Sequence, residues 1–299
     1  MKVYLVFLTL LGLLATTSLS TAEPVFDGER AFYFLEKQVE FGPRFAGTEG
    51  HIACRDYFIE TLQPLAEEVR TQPFLFSFGS PAKTATGYNV IARFQPQVAD
   101  RILLCAHWDT RPWADSDPDP ANHQKPVLGG NDGASGVAVL LHIAELIGET
   151  PPRVGIDILL FDAEDAGEHQ NDRSWAQGSR AFAREYAHQF QPRFGILLDM
   201  IGDADLDIYQ EVYSLRYARP VVERVWTKAE ELGYSEFIPQ VGYAVYDDHI
   251  PLLEAGIQCI NIIDFNYEYW HTVEDTPDKC SAASLETVGR VVTSIIYEE

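Results

Sequence analysis

The spacing of apolar and polar positions predicts strands and helices that alternate along the chain. Short continuous apolar runs are typical of strands that are buried on both faces of a sheet. Longer segments in which apolar residues recur every three or four positions predict helices. The predicted strands cover 68–76, 87–95, 101–106, 155–161, 194–199 and 257–263, and the predicted helices cover 28–40, 48–66, 133–148, 176–188, 219–232 and 282–297.

This alternation predicts the α/β class, as a three-layer α/β/α single domain with a central twisted, mostly parallel mixed sheet. We expect the domain to cover residues 23–299. The runs 87–95 and 101–106 have the composition of paired core strands, and 109–131 reads as a long loop rich in Asp and Pro. In sheets of this kind, functional side chains collect beyond the carboxyl ends of the strands.

The N-terminal segment 1–22 has the pattern of a cleavable signal peptide. Lys2 precedes an apolar run over 3–14, and Ser20, Thr21 and Ala22 are the small residues expected before a cleavage site. A membrane anchor is the rival interpretation, but this run is shorter than the roughly 20 residues that a spanning helix needs. No other run approaches that length, so we expect a secreted or periplasmic protein without a transmembrane segment.

Charge and cysteine content narrow the choice of partners. The formal net charge is −23, and removal of 1–22 leaves 21 basic and 45 acidic residues, or −24. Such a surface repels nucleic acid and anionic lipid, so we expect no nucleic-acid partner, and it weakly favours neutral or cationic substrates. The four cysteines, Cys54, Cys105, Cys259 and Cys280, allow three full pairings, and neither these nor the oligomeric state can be assigned from the sequence.

Five polar residues at predicted strand ends and loops form a candidate metal set. They are His107, Asp132, Asp165, Asp199 and His271. Imidazole nitrogens and carboxylate oxygens without thiolates suit a catalytic zinc site. Taken singly, His107 could instead be a hydrogen-bonded core histidine, and Asp132 could be a helix cap. Five such residues at the expected edge of one sheet favour the metal interpretation.

The order of the motifs HWD, GGNDGASGV, FDAED, LLDMIG and WHT resembles the zinc-dependent M28 peptidase-like superfamily from about residue 30 to the end. The resemblance implies that Asp132, Asp165 and His271 bind zinc and that Glu164 is the general base. In the aminopeptidases of the superfamily a second zinc is held partly by the positions of His107 and Asp199. Asp165 departs from the glutamate that many members have.

Two further motifs resemble the glutaminyl-peptide cyclotransferase branch of that superfamily, and the loop HWDTRPWADSD and the pair FDAED resemble its bacterial members in particular. The segment YDDH places Asp247 where aminopeptidases typically have serine, and Trp270 directly precedes His271. The branch implies one zinc per chain and conversion of the N-terminal glutamine of peptides or proteins to pyroglutamate, with release of ammonia. Asp199 and Asp247 would then be catalytic, and Trp270 and Trp175 would bind the substrate.

Two other functions stay open at this stage. A metallo-aminopeptidase would hold two zincs and release a free N-terminal residue. A non-catalytic binding ectodomain on the same fold would be expected to have lost zinc ligands or the base, and this chain keeps both. The sequence also departs from the animal cyclases at Asn261, where those enzymes have histidine.

Overall fold

A central six-stranded sheet organises the computed structural model, which describes residues 24–79, 82–169 and 171–299. The predicted signal peptide lies outside these residues. Its strands are β1 (Glu68–Phe78), β2 (Lys83–Phe94), β3 (Arg101–His107), β4 (Gly155–Phe161), β5 (Phe194–Asp199) and β8 (Cys259–Ile263). They lie in the order β1-β2-β4-β3-β5-β8. The neighbours among β4, β3, β5 and β8 pair in parallel, whereas β2 pairs antiparallel with both β1 and β4. The predicted mostly parallel mixed sheet is therefore confirmed.

Helices cover both faces of this sheet, which makes the three layers. The described α-helices are α1 (Gly28–Val39), α2 (Glu49–Leu62), α3 (Ser135–Glu149), α4 (Gln177–Glu185), α5 (Val212–Tyr217), α6 (Arg219–Leu232), α7 (His249–Glu254) and α8 (Ala282–Glu298). The larger apolar core joins one sheet face to α1, α2, α3, α6 and α8. A smaller core joins the other face to α4 and α7.

Alternate residues of the central strands supply these two cores. On β3, Ile102 and Leu104 belong to the larger core, whereas Leu103 and Cys105 belong to the smaller one. Because both faces are covered, every residue of β3, β4, β5 and β8 is buried. This explains why these strands have continuous apolar runs in the sequence. The four cysteines are all buried and free.

Two sequence predictions need correction, and four short elements were not predicted. The strands β2 and β3 are not paired, because β4 lies between them, antiparallel to β2 and parallel to β3. The helix predicted over 48–66 ends at Leu62, since Pro64 has no N–H to continue the helix. The two-stranded sheet formed by β6 (Ile208–Gln210) and β7 (Phe237–Val241) was not predicted, nor were the short helices α5 and α7. These elements are too short to show a clear period.

Close packing of α3 on the sheet fixes the loop that precedes this helix. A Cβ atom at Gly136 would lie 2.2 Å from the backbone oxygen of Leu198 and 3.0 Å from the Cβ of Ala106. Only glycine therefore allows the first turn of α3 to approach the ends of β3 and β5. The loop 129–134, which carries Asp132, is placed at the carboxyl edge of the sheet as a result.

The substitution Gly136→Ala is expected to lower the free energy of unfolding by about 2–3 kcal/mol, because the neighbouring backbone must move. Gly148→Ala in the same helix is the matched control. The nearest atom to its Cβ would be a side-chain carbon of Leu65, at 3.3 Å, so we expect a change within about 1 kcal/mol. Chemical denaturation of both variants measures the difference, and equal stabilities would contradict this packing argument.

Candidate metal and catalytic site

The polar side chains that follow the parallel strands meet in one pocket of about 170 Å³ at the carboxyl edge of the sheet. Eight of the nine residues to which the sequence assigned a catalytic, substrate-binding or metal role line it. These are Asp132, Glu164, Asp165, Trp175, Asp199, Asp247, Trp270 and His271. His107 lies beside the pocket at the end of β3 and contacts two of these residues. The structure thus brings together residues that are up to 139 positions apart, from Asp132 to His271.

Asp132, Asp165 and His271 form the first group that could hold a metal ion. One donor atom from each lies within 4.8 Å of the other two. The Nε2 of His271 is 2.9 Å from Asp165 Oδ1 and 3.5 Å from Asp132 Oδ2. The Oδ2 atoms of both aspartates are buried without a hydrogen-bond partner in the described part of the chain. Buried carboxylate oxygens without a partner are costly, and a bound cation would compensate them, so this donor set fits zinc.

His107, Asp132 and Asp199 form a second group, which shares Asp132 with the first. The Nε2 of His107 is 3.0 Å from Asp132 Oδ1 and 3.1 Å from Asp199 Oδ1. Burial opposes a charge on this imidazole, but hydrogen bonds to Asp109, Asp132 and Asp199 outweigh it and raise the pKa of His107 well above its usual value. Asp132 is not a helix cap, because α3 has no side-chain cap.

Two aspartates that the sequence analysis did not single out hold the loops of this site. Asp109 accepts hydrogen bonds from the backbone N–H groups of Glu164 and Asp165, at 3.0 and 3.1 Å. Asp275 accepts from the N–H groups of Asn131 and Asp132, at 2.7 and 3.2 Å. Each carboxylate therefore fixes a ligand loop through its backbone. Their positions two and four residues after His107 and His271 are the sequence signal that could have found them.

Left-handed backbone conformations mark three of the loops. Ala163, Met200 and His271 have φ angles of 58°, 48° and 56°, which non-glycine residues rarely adopt. They lie directly before Glu164, directly after Asp199 and at the predicted ligand itself. Such strained conformations persist only where the surrounding contacts hold the backbone in place, and they are concentrated at functional sites.

Glu164, Asp199 and Asp247 form an acidic group beside the metal ligands. Burial, followed by repulsion from Asp247 and Asp165, raises the pKa of Glu164 well above its usual value. Burial and the neighbouring Asp199 raise the pKa of Asp247 to about 7. Glu164 and Asp247 therefore have raised pKa values, which suits them to acid–base work near neutral pH.

Asn261 supports this acidic group from β8. Its amide Nδ2 donates a hydrogen bond of 2.6 Å to Asp247 Oδ2. Its backbone N–H donates to Ser214, whose hydroxyl donates to Glu211. Asn261, the residue at which the chain departs from the animal cyclases, therefore donates the hydrogen bond that orients Asp247.

Aromatic rings enclose the imidazole of His271. The ring of Trp270 stacks on it with centroids 3.9 Å apart, and the ring of Trp175 lies parallel to it at 5.8 Å. Phe265 packs against Trp270 and also lines the pocket. These rings give the pocket an apolar wall opposite its carboxylates.

The first residue of the FDAED motif has a structural contact. Asp162 is fully buried, its Oδ2 lies 2.7 Å from His51 Nε2, and it accepts a hydrogen bond from the N–H of Tyr88. His51 stacks on Trp108. Asp162 thus connects the end of β4 to α2 and β2, whereas the side chain of Glu168 is exposed.

The metal-free protein is expected to lose stability as the pH rises from about 4 to about 7. A carboxyl group whose pKa is raised by folding binds its proton more tightly in the folded state, so deprotonation favours unfolding. Burial raises the pKa of Asp247 to about 7 and that of Asp275 to about 6, against about 3.9 in an unfolded chain. Melting temperatures of chelator-treated protein should be lower at pH 7.5 than at about pH 5, and added zinc should narrow the difference. A higher melting temperature at pH 7.5 without metal would contradict this.

Comparison with known proteins identifies relatives along nearly the whole described chain. The profile of Peptidase family M28 matches residues 89–296. A crystal structure of Bacteroides thetaiotaomicron glutaminyl cyclase bound to N-acetylhistamine is 38% identical, with a TM-score of 0.89, over 92% of this chain and 99% of that one. A structure from the same organism described as a leucine aminopeptidase precursor is also 38% identical, with a TM-score of 0.89, over 93% and 99%. Glutaminyl-peptide cyclotransferase of Drosophila melanogaster is 23% identical over 86% of this chain and 77% of its own. Among the described residues, no helix has the length and apolar character needed to cross a bilayer.

Proposed function

The chain belongs to Peptidase family M28, and from that premise we propose that it is a zinc-dependent glutaminyl-peptide cyclotransferase. It would convert the N-terminal glutamine of peptides and proteins to pyroglutamate and release ammonia. The cyclotransferases and glutaminyl cyclases among its relatives support this activity. We propose that residues 23–299 act as one catalytic domain.

The observation that carries the proposal is the position of Asp247. This carboxylate is only 2% exposed and lies in the same pocket as Glu164 and Asp199. Its pKa of about 7 means that it can hold or give up a proton near neutral pH. Cyclisation moves a proton from an amine to departing ammonia, and three adjacent acidic groups are suited to this transfer. Peptide hydrolysis by a two-zinc aminopeptidase would need no carboxylate at the position of Asp247.

Asp132, Asp165 and His271 would hold one zinc per chain. When bound, zinc supplies Lewis-acid polarisation of the carbonyl of the glutamine side-chain amide. Asp109 and Asp275 keep the two aspartate ligands in place through the backbone. We propose one zinc per chain because this leaves His107 and Asp199 free to act in the proton network.

Glu164 is the proposed general base and acid. Its raised pKa suits it to take a proton from the substrate α-amine and to return it to the leaving nitrogen. The amine nitrogen forms a bond to the amide carbon of the same residue, and the bond from that carbon to the amide NH₂ breaks. Asp199 and Asp247 would accept hydrogen bonds from the amide nitrogen. They would also stabilise the positive charge that this nitrogen gains as it leaves.

Trp270 and Trp175 would bind the glutamine side chain and exclude water. Both rings stack on His271 and line the pocket, so the space beside the ligand is partly apolar. Folding the side chain back into a small pocket brings amine and amide carbon together, which gives the intramolecular attack a high effective concentration. Water would otherwise hydrolyse the amide to glutamate.

A metallo-aminopeptidase is the second candidate function, because His107, Asp132 and Asp199 offer a second metal group. It would need two zincs and an activated water. The replacement of the serine typical of aminopeptidases by Asp247 argues against it. Zinc content near two per chain, with release of free N-terminal residues, would favour this candidate.

The proposed function is tested with two peptides that differ only in their first residue, glutamine or leucine. The zinc-loaded protein should release one ammonia per glutamine peptide and consume its free amine without shortening the peptide. The leucine peptide should stay intact. Chelation should abolish the reaction and zinc should restore it. Cleavage of the leucine peptide, or the absence of ammonia, would refute the proposal.

We also propose that residues 1–22 are a signal peptide that directs the protein to the periplasm or outside the cell. Mass spectrometry of the protein from its native source tests this. A mature N-terminus at Glu23 supports the proposal, and a protein that still begins at Met1 opposes it.

A further inference from the structure

We propose that Asp115 is a positioning residue for His271: its carboxylate accepts the Nδ1–H of the metal-bound imidazole, directly or through one bridging water. This inference uses the proposed metal role of His271. It does not depend on which reaction the site performs, because it concerns the affinity and the geometry of the metal centre.

The geometry around His271 leaves one of its nitrogens unaccounted for. Nε2 faces the carboxylates of Asp132 and Asp165, and Nδ1 points away from them. Nδ1 is buried and has no hydrogen-bond partner among the described atoms. Asp115 Oδ1 lies 3.8 Å from it, which is too long for a direct hydrogen bond but close enough for a small approach or one water.

Neighbouring donors hold the Asp115 carboxylate with its free side toward the imidazole. Arg111 donates to it twice, from Nε to Oδ1 at 3.1 Å and from Nη2 to Oδ2 at 2.6 Å. Trp113 Nε1 donates to Oδ2, and His169 Nε2 lies 3.2 Å from the same oxygen. Most of these contacts therefore converge on Oδ2, while Oδ1 is the oxygen that faces His271. Burial opposes the charge on Asp115, but Arg111 outweighs it and lowers the pKa of the carboxyl.

The loop that carries Asp115 is tied to the ligand loops on both sides. The backbone N–H of Ser116 donates to the carbonyl of His271 at 3.2 Å. The guanidinium of Arg111, which is 1% exposed, donates to the backbone carbonyls of Asp165 and Gly167. Ser116 and Arg111, on either side of Asp115, thus connect this loop to the backbones of His271 and Asp165. A shift of the carboxylate would be transmitted to the ring that it faces.

An acceptor at this position favours the tautomer of His271 that carries its proton on Nδ1. A histidine that binds a metal through Nε2 carries its proton on Nδ1, and an acceptor at that nitrogen fixes the tautomer, the ring orientation and the basicity of the ligand. Loss of such an outer carboxylate typically weakens metal binding by about 10- to 100-fold.

The test measures the zinc dissociation constant by competition with a chromogenic chelator. Asp115→Asn should weaken zinc binding by about tenfold, and Asp115→Ala should approach a hundredfold loss. Asp119→Asn is the matched control, since it removes the same charge from an exposed position of the same loop. It should bind zinc within about twofold of the unmodified protein. If the alanine variant does not fold, the asparagine variant decides.

A second readout separates positioning from a general loss of stability. The visible spectrum of the cobalt-substituted protein reports the geometry of the metal centre, and it should change in the Asp115 variants but not in Asp119→Asn. Unchanged zinc affinity together with an unchanged cobalt spectrum in both Asp115 variants would overturn the proposal. His271→Ala is the reference: if it binds zinc as tightly as the unmodified protein, the proposed ligand set fails, and this inference fails with it.

Discussion

Replacement of Glu164 by glutamine is expected to lower kcat for cyclisation by about 10²–10⁴-fold, because the variant loses the group that moves the proton. Glutamine keeps the size of the side chain and cannot accept a proton at neutral pH. Glu164 is not in the proposed ligand triad, so the zinc content should stay unchanged. Stopped assays with a Gln-initiated peptide measure kcat, and metal analysis of the same sample measures zinc.

Glu168→Gln is the matched control for this experiment. Glu168 lies four positions after Glu164 in the same segment, and its side chain is exposed. The activity of the Glu168→Gln variant should therefore stay within about twofold of that of the unmodified protein. Retention of more than about a tenth of the activity by Glu164→Gln would remove Glu164 from the role of base. Loss of zinc from this variant would instead assign Glu164 to the metal.

Replacement of Asp132 by asparagine is expected to weaken zinc binding by at least about 100-fold, more than is usual for a residue outside the ligand shell. Asp132 belongs to two of the groups that could hold a metal ion, and its Oδ2 is buried without a hydrogen-bond partner among the described residues. The neutral amide keeps the shape of the side chain but loses the charge that binds the cation. Activity should be lost at low zinc concentration and should recover in part when zinc is added in excess.

Zinc titration of Asp132→Asn is compared with that of Asp278→Asn. Asp278 is exposed in the loop before α8, so zinc binding by this variant should not change. Equal zinc affinities for the two variants would show that Asp132 is not a ligand. The metal centre would then have to be built from the remaining histidines and carboxylates.

The sequence predicted the strands of the central sheet because burial on both faces leaves a strong local signal. The runs at β3, β4 and β5 are buried throughout, and their bounds agree with the prediction within one residue. The pairing of β2 with β4 could not be read in this way. Pairing depends on contacts between residues 62 to 70 positions apart, which leave no periodic trace in either strand.

The pocket residues were predictable for a different reason. Parallel strands bring their carboxyl ends to one edge, so His107, Glu164, Asp165 and Asp199 had to lie close together. His271 follows β8 by eight residues. Its position after a predicted strand placed it in the candidate metal set, and the motif resemblance assigned it as a ligand. The structure places its imidazole beside Asp165, through a left-handed residue that no local pattern predicts.

The supporting residues were the hardest to predict. Asp109 and Asp275 act through backbone N–H groups of distant loops, and Asp115 is one of several acids in an Asp-rich stretch. Their roles depend on the folded positions of their partners. A sequence offers no means of choosing Asp115 over Asp117 or Asp119 before those positions are known.

The most direct test of the account is a reaction of the zinc-loaded protein with a Gln-initiated peptide in water enriched in oxygen-18. In the proposed reaction the substrate amine, and no water, attacks the amide carbon within the pocket of Glu164, Asp199 and Asp247. Mass spectrometry should therefore find a pyroglutamyl peptide that has lost one ammonia and carries no oxygen-18. An N-terminal glutamate that carries oxygen-18, or a shortened peptide with the label in the released residue, would contradict it.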